Sequence, residues 1–239
     1  MDELILAIIS FFTSIITAIT GIGGGLMLIA ILPSFLPVNA LIPVHGFTQI
    51  ASNVSRAYFG YRDIQWSIVP KFLIGSLVGV GLFALVLHLL SIQWIPLFIG
   101  AYILLSLWSQ SFNEKIKKYE NYYVIGFFQS GLSVIVGSTG PLALTKLLKD
   151  FEDRDKVVVT SAVLMSITHA LKALVFLYFG FIFSDYLLLI CLMIAGSILG
   201  SYVGTKFRNI IDGKKLVLIL KYLLTAMAIK SIVGIFPYM

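Results

Sequence analysis

The amino-acid sequence predicts an all-α integral membrane protein made of two inverted-topology repeats, each a broken, re-entrant-like helix hairpin followed by three transmembrane helices. Three observations lead to this prediction. Of the 239 residues, 59% are hydrophobic and 12% are charged, whereas a soluble domain carries about a quarter charged residues. Apolar runs close to the length of about 20 residues that a helix needs to cross a bilayer recur along the chain. Short motifs of the first half return in the second half.

The apolar runs follow one another with short polar gaps. The first, Leu4 to Ile19, has no basic segment before it and ends in a glycine cluster, so we expect it to be part of the fold rather than a signal peptide. The others are Ile42 to Phe59, Ile68 to Leu90, Ile95 to Leu107, Val157 to Phe179, Tyr186 to Val203 and Leu216 to Ile235. The only cysteine, Cys191, lies inside one run, which excludes a disulfide framework.

An internal repeat divides the chain. Residues 11–14 (Phe-Phe-Thr-Ser) return 116 residues later as Phe-Phe-Gln-Ser, and the same shift aligns the two glycine-containing clusters. Weakly similar repeats are common in transporter folds. The predicted units are a first membrane repeat at 1–110, a cytoplasmic linker at 111–121 and a second membrane repeat at 122–239. The glycines that recur at four-residue spacing are expected to allow close helix packing; they are Gly75, Gly79, Gly196 and Gly200.

The basic residues predict the topology, because Lys and Arg concentrate in cytoplasmic loops. The loop after the first Tyr-Phe-Gly motif contains Arg62, whereas its counterpart in the second half has no Lys or Arg. This conflict disappears if segments 4–36 and 122–148 are hairpins that enter and leave on one side, since each half then has three crossings and the second is inverted. Only Lys172 and Lys230 then lie deep in the membrane. Eight plain crossings remain the alternative. The net charge of +6 is explained by these loops, without nucleic acid as a partner.

Each predicted hairpin is interrupted by small residues, at 21–25 and at 137–141. Unwound backbone at membrane depth is tolerated only where protein or water satisfies it, and the N-terminus of the next helix offers N–H groups and a positive dipole end. Two such ends aimed at one midplane site predict an anion-binding site. The site residues expected from the breaks are Gly21, Gly23, Gly24, Gly25, Gly137, Ser138, Thr139 and Gly140. Close helix packing is the alternative explanation of the glycines.

Polar residues share one face of the helix that follows each break. Ionisable groups within a span are costly and suggest function, so we expect these residues to line the same cavity and bind the anion. They are His45, Gln49, Asn53 and Arg56 in the first half and Thr168, His169 and Lys172 in the second. A histidine here could bind the anion when protonated or carry a coupling proton.

Each of these residues also has a structural explanation. Arg56 could extend to the cytoplasmic surface, and His45 and Lys172 could reach the outer interface. The neutral polar residues could join helices by hydrogen bonds. For Lys172 we favour a water-filled cavity in which an anion supplies the missing charge, because a lysine near the centre of a span costs roughly 2.5–3.5 kcal/mol.

The order of motifs resembles a known family. A Gly-Ile-Gly-Gly-Gly cluster at 21–25, Pro33 and Pro37 downstream, and a polar-studded helix that ends in Gly-Tyr-Arg-Asp-Ile-Gln-Trp at 60–66 are similar to the TauE/SafE sulfite-exporter family. The repeat of this plan covers most of the chain, although the second break has Ser138 and Thr139 where the first has glycines. The resemblance implies transport of sulfite, sulfonates or related small organosulfur anions.

The expected function is that of a secondary transporter of a small anion, working by alternating access between the repeats in the cell (inner) membrane. The expected partners are the anion, the lipid bilayer and a proton or sodium ion for coupling; no cofactor and no metal are expected. An anion-selective channel is the alternative. An enzyme is disfavoured, because the sequence contains no Gly-x-Ser-x-Gly or His-Glu-x-x-His motif and only three histidines.

Overall fold

The computed structural model describes residues 2–117, 121–139, 141–211 and 213–234, and this part of the chain is α-helical without strands. The helices are α1 Asp2–Thr20, α2 Gly24–Ile31, α3 Val38–Phe59, α4 Val69–Leu89, α5 Ile95–Trp108, α6 Gln110–Lys117, α7 Tyr122–Val136, α8 Pro141–Asp150, α9 Arg154–Tyr178, α10 Leu187–Phe207 and α11 Gly213–Val233. Short 3-10 turns lie at Leu32–Ser34, Tyr61–Asp63, Ile92–Trp94 and Phe183–Tyr186. The prediction of an all-α membrane protein is confirmed.

Local sequence signals start several of these helices. The side chain of Asn121 accepts a hydrogen bond from the second residue of α7, and Asp153 accepts two from the first turn of α9. Such caps satisfy amides that have no partner inside the helix. Pro70 and Pro96 lie in the first turns of α4 and α5, where a missing N–H costs no helical hydrogen bond. Helix starts are therefore specified close to where the apolar runs begin.

Within the described part of the chain, five helices are long and apolar enough to cross a membrane: α1, α4, α9, α10 with the 3-10 turn before it, and α11 from Leu216. Of the six predicted crossings, α3 and α5 are not in this set. Helix α3 has 22 residues but is much less apolar than α4, because it carries the polar face that the interior buries. Helix α5 has only 14 residues. The first helix, which we assigned to a hairpin, has 19 residues and the length of a full crossing.

In both halves the chain reverses direction at the glycine cluster. Gly24 at the start of α2 lies against the carbonyl oxygen of Thr13 in α1, so α2 returns alongside α1. The hydroxyl of Tyr122, the first residue of α7, donates a 2.7 Å hydrogen bond to Asp150, the last residue of α8. The ends of this second hairpin therefore meet on one side. The reversals use positive φ angles at Gly21, Gly23 and Gly137, which glycine adopts without the penalty of a Cβ.

Each hairpin packs against a helix of the other half. Helices α4 and α7 run parallel in close contact, as do α10 and α1, and glycines one turn apart lie against the facing backbone. The contacts join Gly75 to Tyr123, Gly79 to Phe127, Gly196 to Ala7 and Gly200 to Phe11. A Cβ on any of these glycines would overlap a carbonyl oxygen. The glycines thus have the packing role that their four-residue spacing predicts.

Helices at matching places in the two halves run antiparallel to each other. In the pair of α3 and α9, Gly46 lies beside Lys172 and Gly60 beside Val159. In the pair of α5 and α11, the carbonyl of Pro96 accepts from Ser231, and Trp108 donates to Thr225. The inversion of the two halves in the membrane stays a prediction, as does their orientation.

Candidate functional site

Lys172 of α9 is fully buried beside the second glycine break. Its Nζ donates a 2.6 Å hydrogen bond to the carbonyl oxygen of Gly137 and lies 3.4 Å from Nδ1 of His45. Gly137 directly follows α7, and the C-terminal end of a helix carries partial negative charge. The ammonium is therefore stabilised by the carbonyl end of α7, whereas we expected an anion to supply the missing charge. It does not extend to the outer interface.

His45 of α3 connects the lysine to the first glycine break. Its Nε2 lies 2.9 Å from the carbonyl oxygen of Gly25, and because a carbonyl only accepts, Nε2 must carry the proton. Nδ1 can then accept from the ammonium of Lys172. A continuous chain of hydrogen bonds thus runs from Gly137 through Lys172 and His45 to Gly25, joining the two breaks. His45 is fully buried, so its alternative placement at the outer interface is wrong.

His169 of α9 is the polar side chain with the fewest partners in this region. It is fully buried, and neither of its ring nitrogens has a hydrogen-bond partner within the described residues. Its ring centroid lies 5.4 Å from that of His45, with the two rings at 75°. Buried polar groups are normally hydrogen-bonded. The two ring nitrogens are therefore the polar atoms that a ligand can most readily use.

Three further predicted residues lie beside the chain of hydrogen bonds that joins the two breaks. A Cβ built on Gly25 would lie 3.2 Å from Oε1 of Gln49 and 3.3 Å from Oγ of Ser138. The amide of Gln49 and the hydroxyl of Ser138 therefore border the backbone of the first break. We call the whole set the lysine cluster; its members are Gly25, His45, Gln49, Gly137, Ser138, His169 and Lys172.

The other residues of the first break lie outside the lysine cluster. A Cβ on Gly24 would overlap Thr13 and Thr17 of α1, so this glycine permits the close hairpin. Gly21 faces Leu144 of α8, and Gly23 faces Leu220 of α11. These three positions fit the packing explanation. Gly140, the last predicted residue of the second break, lies outside the described residues.

Thr139 and Thr168 take part in an internal network rather than facing the lysine cluster. The hydroxyl of Thr139 donates to the carbonyl of Gln129 (2.6 Å), and Thr168 shares a 2.9 Å hydrogen bond with Ser130. The side-chain oxygen of Gln129 accepts from the amide of Ala143 at the start of α8. One amide that we expected to face an anion is thus already bonded by the protein. Sequence reasoning missed Gln129 as a structural residue, although it belongs to the repeated four-residue motif.

Arg56 lies further along α3, away from Lys172. It is 1% exposed and does not reach the cytoplasmic surface; Nη1 donates to Asn53 (3.0 Å) and Nη2 to Ser52 (3.3 Å). Eleven residues separate it from His45, which corresponds to roughly 16 Å along a helix. The four predicted residues of α3 therefore fall into two groups. We call the second the arginine cluster; its members are Ser14, Ser52, Asn53, Arg56 and Ser201.

Comparison with known protein families supplies the identification. The family model described as sulfite exporter TauE/SafE matches residues 6–231. The chain belongs to this family. TauE/SafE proteins are membrane transporters of sulfite or related anions, so the resemblance based on the glycine break and the helix after it is confirmed. The searches of curated proteins and of solved structures gave no match.

In this TauE/SafE protein the lysine cluster is closely packed, and the four described cavities are lined by other residues. One cavity, of about 470 Å³, is bordered by His88, Asp185 and Phe176. Phe176 is one helical turn beyond Lys172, so this cavity ends next to the cluster. We expected water around Lys172 itself; the carbonyl of Gly137 instead satisfies the ammonium directly.

Proposed function

We propose that the chain is a secondary transporter in the cell (inner) membrane that carries sulfite, a sulfonate or a related organosulfur anion by alternating access. The anion binds at the lysine cluster. The observation that carries this proposal is the environment of Lys172. Within the described part of the chain its partners are a carbonyl and an imidazole, and no carboxylate pairs with it. A buried cation without a counter-ion is costly, and an anionic substrate would lower that cost.

The geometry suits an oxyanion with several acceptor oxygens. The ammonium of Lys172 has three N–H donors, of which the contacts to Gly137 and His45 use two. The third can point at a substrate oxygen. The adjacent His169 can donate from a ring nitrogen, and the hydroxyl of Ser138 can rotate to donate as well. Charge-assisted hydrogen bonds of this kind are about twice as strong as neutral ones.

Access to the cluster requires the halves to move, because its side chains are buried. The two hairpins are interlocked at their tips: Gly21 contacts Leu144 of α8, and Gly137 contacts Ile29 of α2. One cavity is bordered by Phe176, one helical turn from Lys172, and movement of the halves would have to extend this cavity to the cluster. Rocking of one repeat against the other around a fixed site is how many folds with broken helices achieve transport. The coupling ion is a proton if His169 is protonated when the anion binds.

Binding of sulfite by the purified protein tests this site. In Lys172→Gln, calorimetry at matched pH is expected to show at least tenfold weaker binding, because hydrogen bonds to charged groups are worth about 1.5–3 kcal/mol. Lys172→Arg should keep part of the affinity. Lys230→Gln is the matched control, since it removes a lysine of another spanning helix whose Nζ bonds Ser34. Binding by Lys172→Gln with both the affinity and the number of sites of the wild type would refute the role of the lysine.

Flux through proteoliposomes distinguishes a carrier from a channel. A carrier gives saturable uptake of sulfite that is accelerated by sulfite on the opposite side, because the loaded site returns faster than the empty one. A proton gradient should drive uptake if a proton is coupled. Single-channel currents carried by sulfite would instead show that the protein is an anion-selective pore.

A further inference from the structure

We infer that the arginine cluster is a second anion-binding station, separate from the lysine cluster and used by the same small oxyanion on its way through the protein. This inference rests on the proposed function. It assigns to one buried arginine and three serines, from helices α1, α3 and α10, a role in binding sulfite or the sulfonate group of a larger substrate.

Arg56 has an unusual set of partners for a buried guanidinium. Its side chain is 1% exposed, and the two groups that accept from it, the amide oxygen of Asn53 and the hydroxyl of Ser52, are both neutral and on its own helix. Its Nε has no partner within the described residues. Buried arginines normally pair with carboxylates or other anions. Arg56 therefore offers a free donor and an unbalanced charge in one place.

The nearby charges do not balance Arg56. Arg208, directly after α10, lies two helical turns beyond Ser201 and adds a second positive charge on this side of the protein. Arg208 itself is buried, pairs with Asp155 at 2.6 Å and donates to the carbonyl of Ala18 at 2.8 Å. The carboxylate on this side is thus already engaged by the second arginine. Among the described ion pairs, none supplies a carboxylate to Arg56.

Hydroxyl groups complete the station. Ser52 lies 2.9 Å from the hydroxyl of Ser14 and 3.4 Å from that of Ser201. One turn before Ser14, on the same face of α1, the hydroxyl of Ser10 is buried with no partner in the described part of the chain. Hydroxyl hydrogens rotate, so these groups can donate to an oxyanion that Arg56 holds. Oxygen atoms that accept from a guanidinium and from several hydroxyls are typical of sulfonate and sulfite.

The charged ends of the two clusters lie at different levels of α3, although Asn53 donates to the carbonyl of Gln49 where the clusters adjoin (2.7 Å). Roughly 16 Å of helix separates His45 from Arg56. His169 lies one turn of α9 before Lys172, on the side toward Val159, which packs beside Gly60 at the Arg56 end of α3. Its ring nitrogens are unpartnered among the described residues. The anion would pass from Arg56 to His169 to Lys172, or in the reverse order. Such a series of moderately strong sites allows an ion to enter and also to leave.

Calorimetry with sodium sulfite tests the second station in the full-length protein. Wild type and the control Lys230→Gln should bind two sulfite ions per chain, and Arg56→Gln and Lys172→Gln one each. The remaining site should stay occupied in each variant, because the contacts of Lys172 with Gly137 and His45 do not involve Arg56. Loss of all binding in Arg56→Gln, with normal elution in size-exclusion chromatography, would overturn the inference. So would one ion per chain in wild type.

A measurement on the unaltered chain covers the case in which Arg56→Gln does not fold. Crystals soaked with selenite, an electron-dense analogue of sulfite, should show two anomalous peaks, one near Lys172 and one near Arg56. A single peak near Lys172 overturns the second station and leaves the proposed function standing. A single peak near Arg56 overturns both the presence of two anion-binding stations and the assignment of the substrate site to the lysine cluster. Absence of any peak, together with no heat of sulfite binding, rejects the proposed function itself.

Discussion

The backbone of Gly46 lies directly against the side chain of Lys172: a Cβ at position 46 would be 3.0 Å from Cε of the lysine and 3.8 Å from its Nζ. The glycine thus determines where the ammonium sits. We expect Gly46→Ala to weaken sulfite binding and Gly46→Val to weaken it as much as Lys172→Gln does, because the larger side chain displaces the ammonium from Gly137. Calorimetry on the purified variants measures this.

Gly81→Val is the matched control for that prediction. Gly81 lies in α4, and a Cβ there would meet nothing within 4 Å. Gly81→Val therefore has the same cost in helix propensity as Gly46→Val, but its side chain does not touch the lysine cluster. If Gly46→Val binds sulfite like Gly81→Val, the placement of Lys172 by Gly46 is wrong.

Adjacent glycines of the first break should respond differently to alanine. At Gly24 a Cβ would overlap the backbone of Thr13, so Gly24→Ala should prevent the hairpin from closing and lower the yield of folded protein. At Gly25 the new methyl would press on Gln49 and Ser138 at 3.2–3.3 Å. Gly25→Ala should therefore fold but bind sulfite more weakly. Size-exclusion profiles and calorimetry separate the two effects, and similar behaviour of both variants contradicts the assignment.

Cysteine labelling tests the inverted topology. The predicted inner loop after α3 is best probed at Trp66, which is 62% exposed, since Ile64 in the same loop is only 8% exposed. The predicted outer loop after α9 is probed at Ile182, which is 61% exposed. Cys191 is exposed and must first be replaced by alanine. An impermeant thiol reagent on intact cells should label Ile182→Cys but not Trp66→Cys, and the opposite pattern excludes the predicted orientation.

The pair of Arg208 and Asp155 should contribute to stability at the predicted cytoplasmic end. Asp155→Asn leaves the buried guanidinium without its counter-charge. Because the side chain of Asp155 is 38% exposed, water compensates in part, and we expect a loss of about 1 kcal/mol, or roughly 2–4 °C in Tm. Thermal unfolding in detergent measures this. Glu152→Gln, the same type of change on an exposed side chain of the preceding loop, should leave Tm unchanged; equal shifts in both variants would show a general charge effect.

Much of the fold follows from the sequence because apolar runs have a direct physical meaning in a membrane. Helices α4 and α9 begin and end within a few residues of the predicted runs. The reversals at the glycine clusters also follow, since few other residues adopt positive φ. The contact of Gly24 with Thr13 shows that α2 turns back along α1, whereas a full crossing by α1 and a re-entrant hairpin both stay predictions.

The candidate site was predictable only in part. His45, His169 and Lys172 stand out because ionisable side chains are rare in membrane helices. Ser201, which donates to the backbone of Ser52 at 3.0 Å, carries no such signal, since serine is common in these helices. Its place in the arginine cluster depends on contact between residues far apart in the chain. The division of the polar face of α3 into two clusters likewise depends on which groups the facing helices bring near it.

The packing of α1 against α10 has a consequence for how the protein is made. The backbone of Ala7 finds its partner, Gly196, only after most of the chain has been synthesised, whereas local helix formation takes about a microsecond or less. During synthesis, the face of α1 that later contacts the glycines of α10 therefore stays uncovered in the membrane or in the translocation machinery. Chaperones or lipids that cover this face temporarily would determine the yield of active protein, and truncation before α10 should leave the first repeat prone to proteolysis.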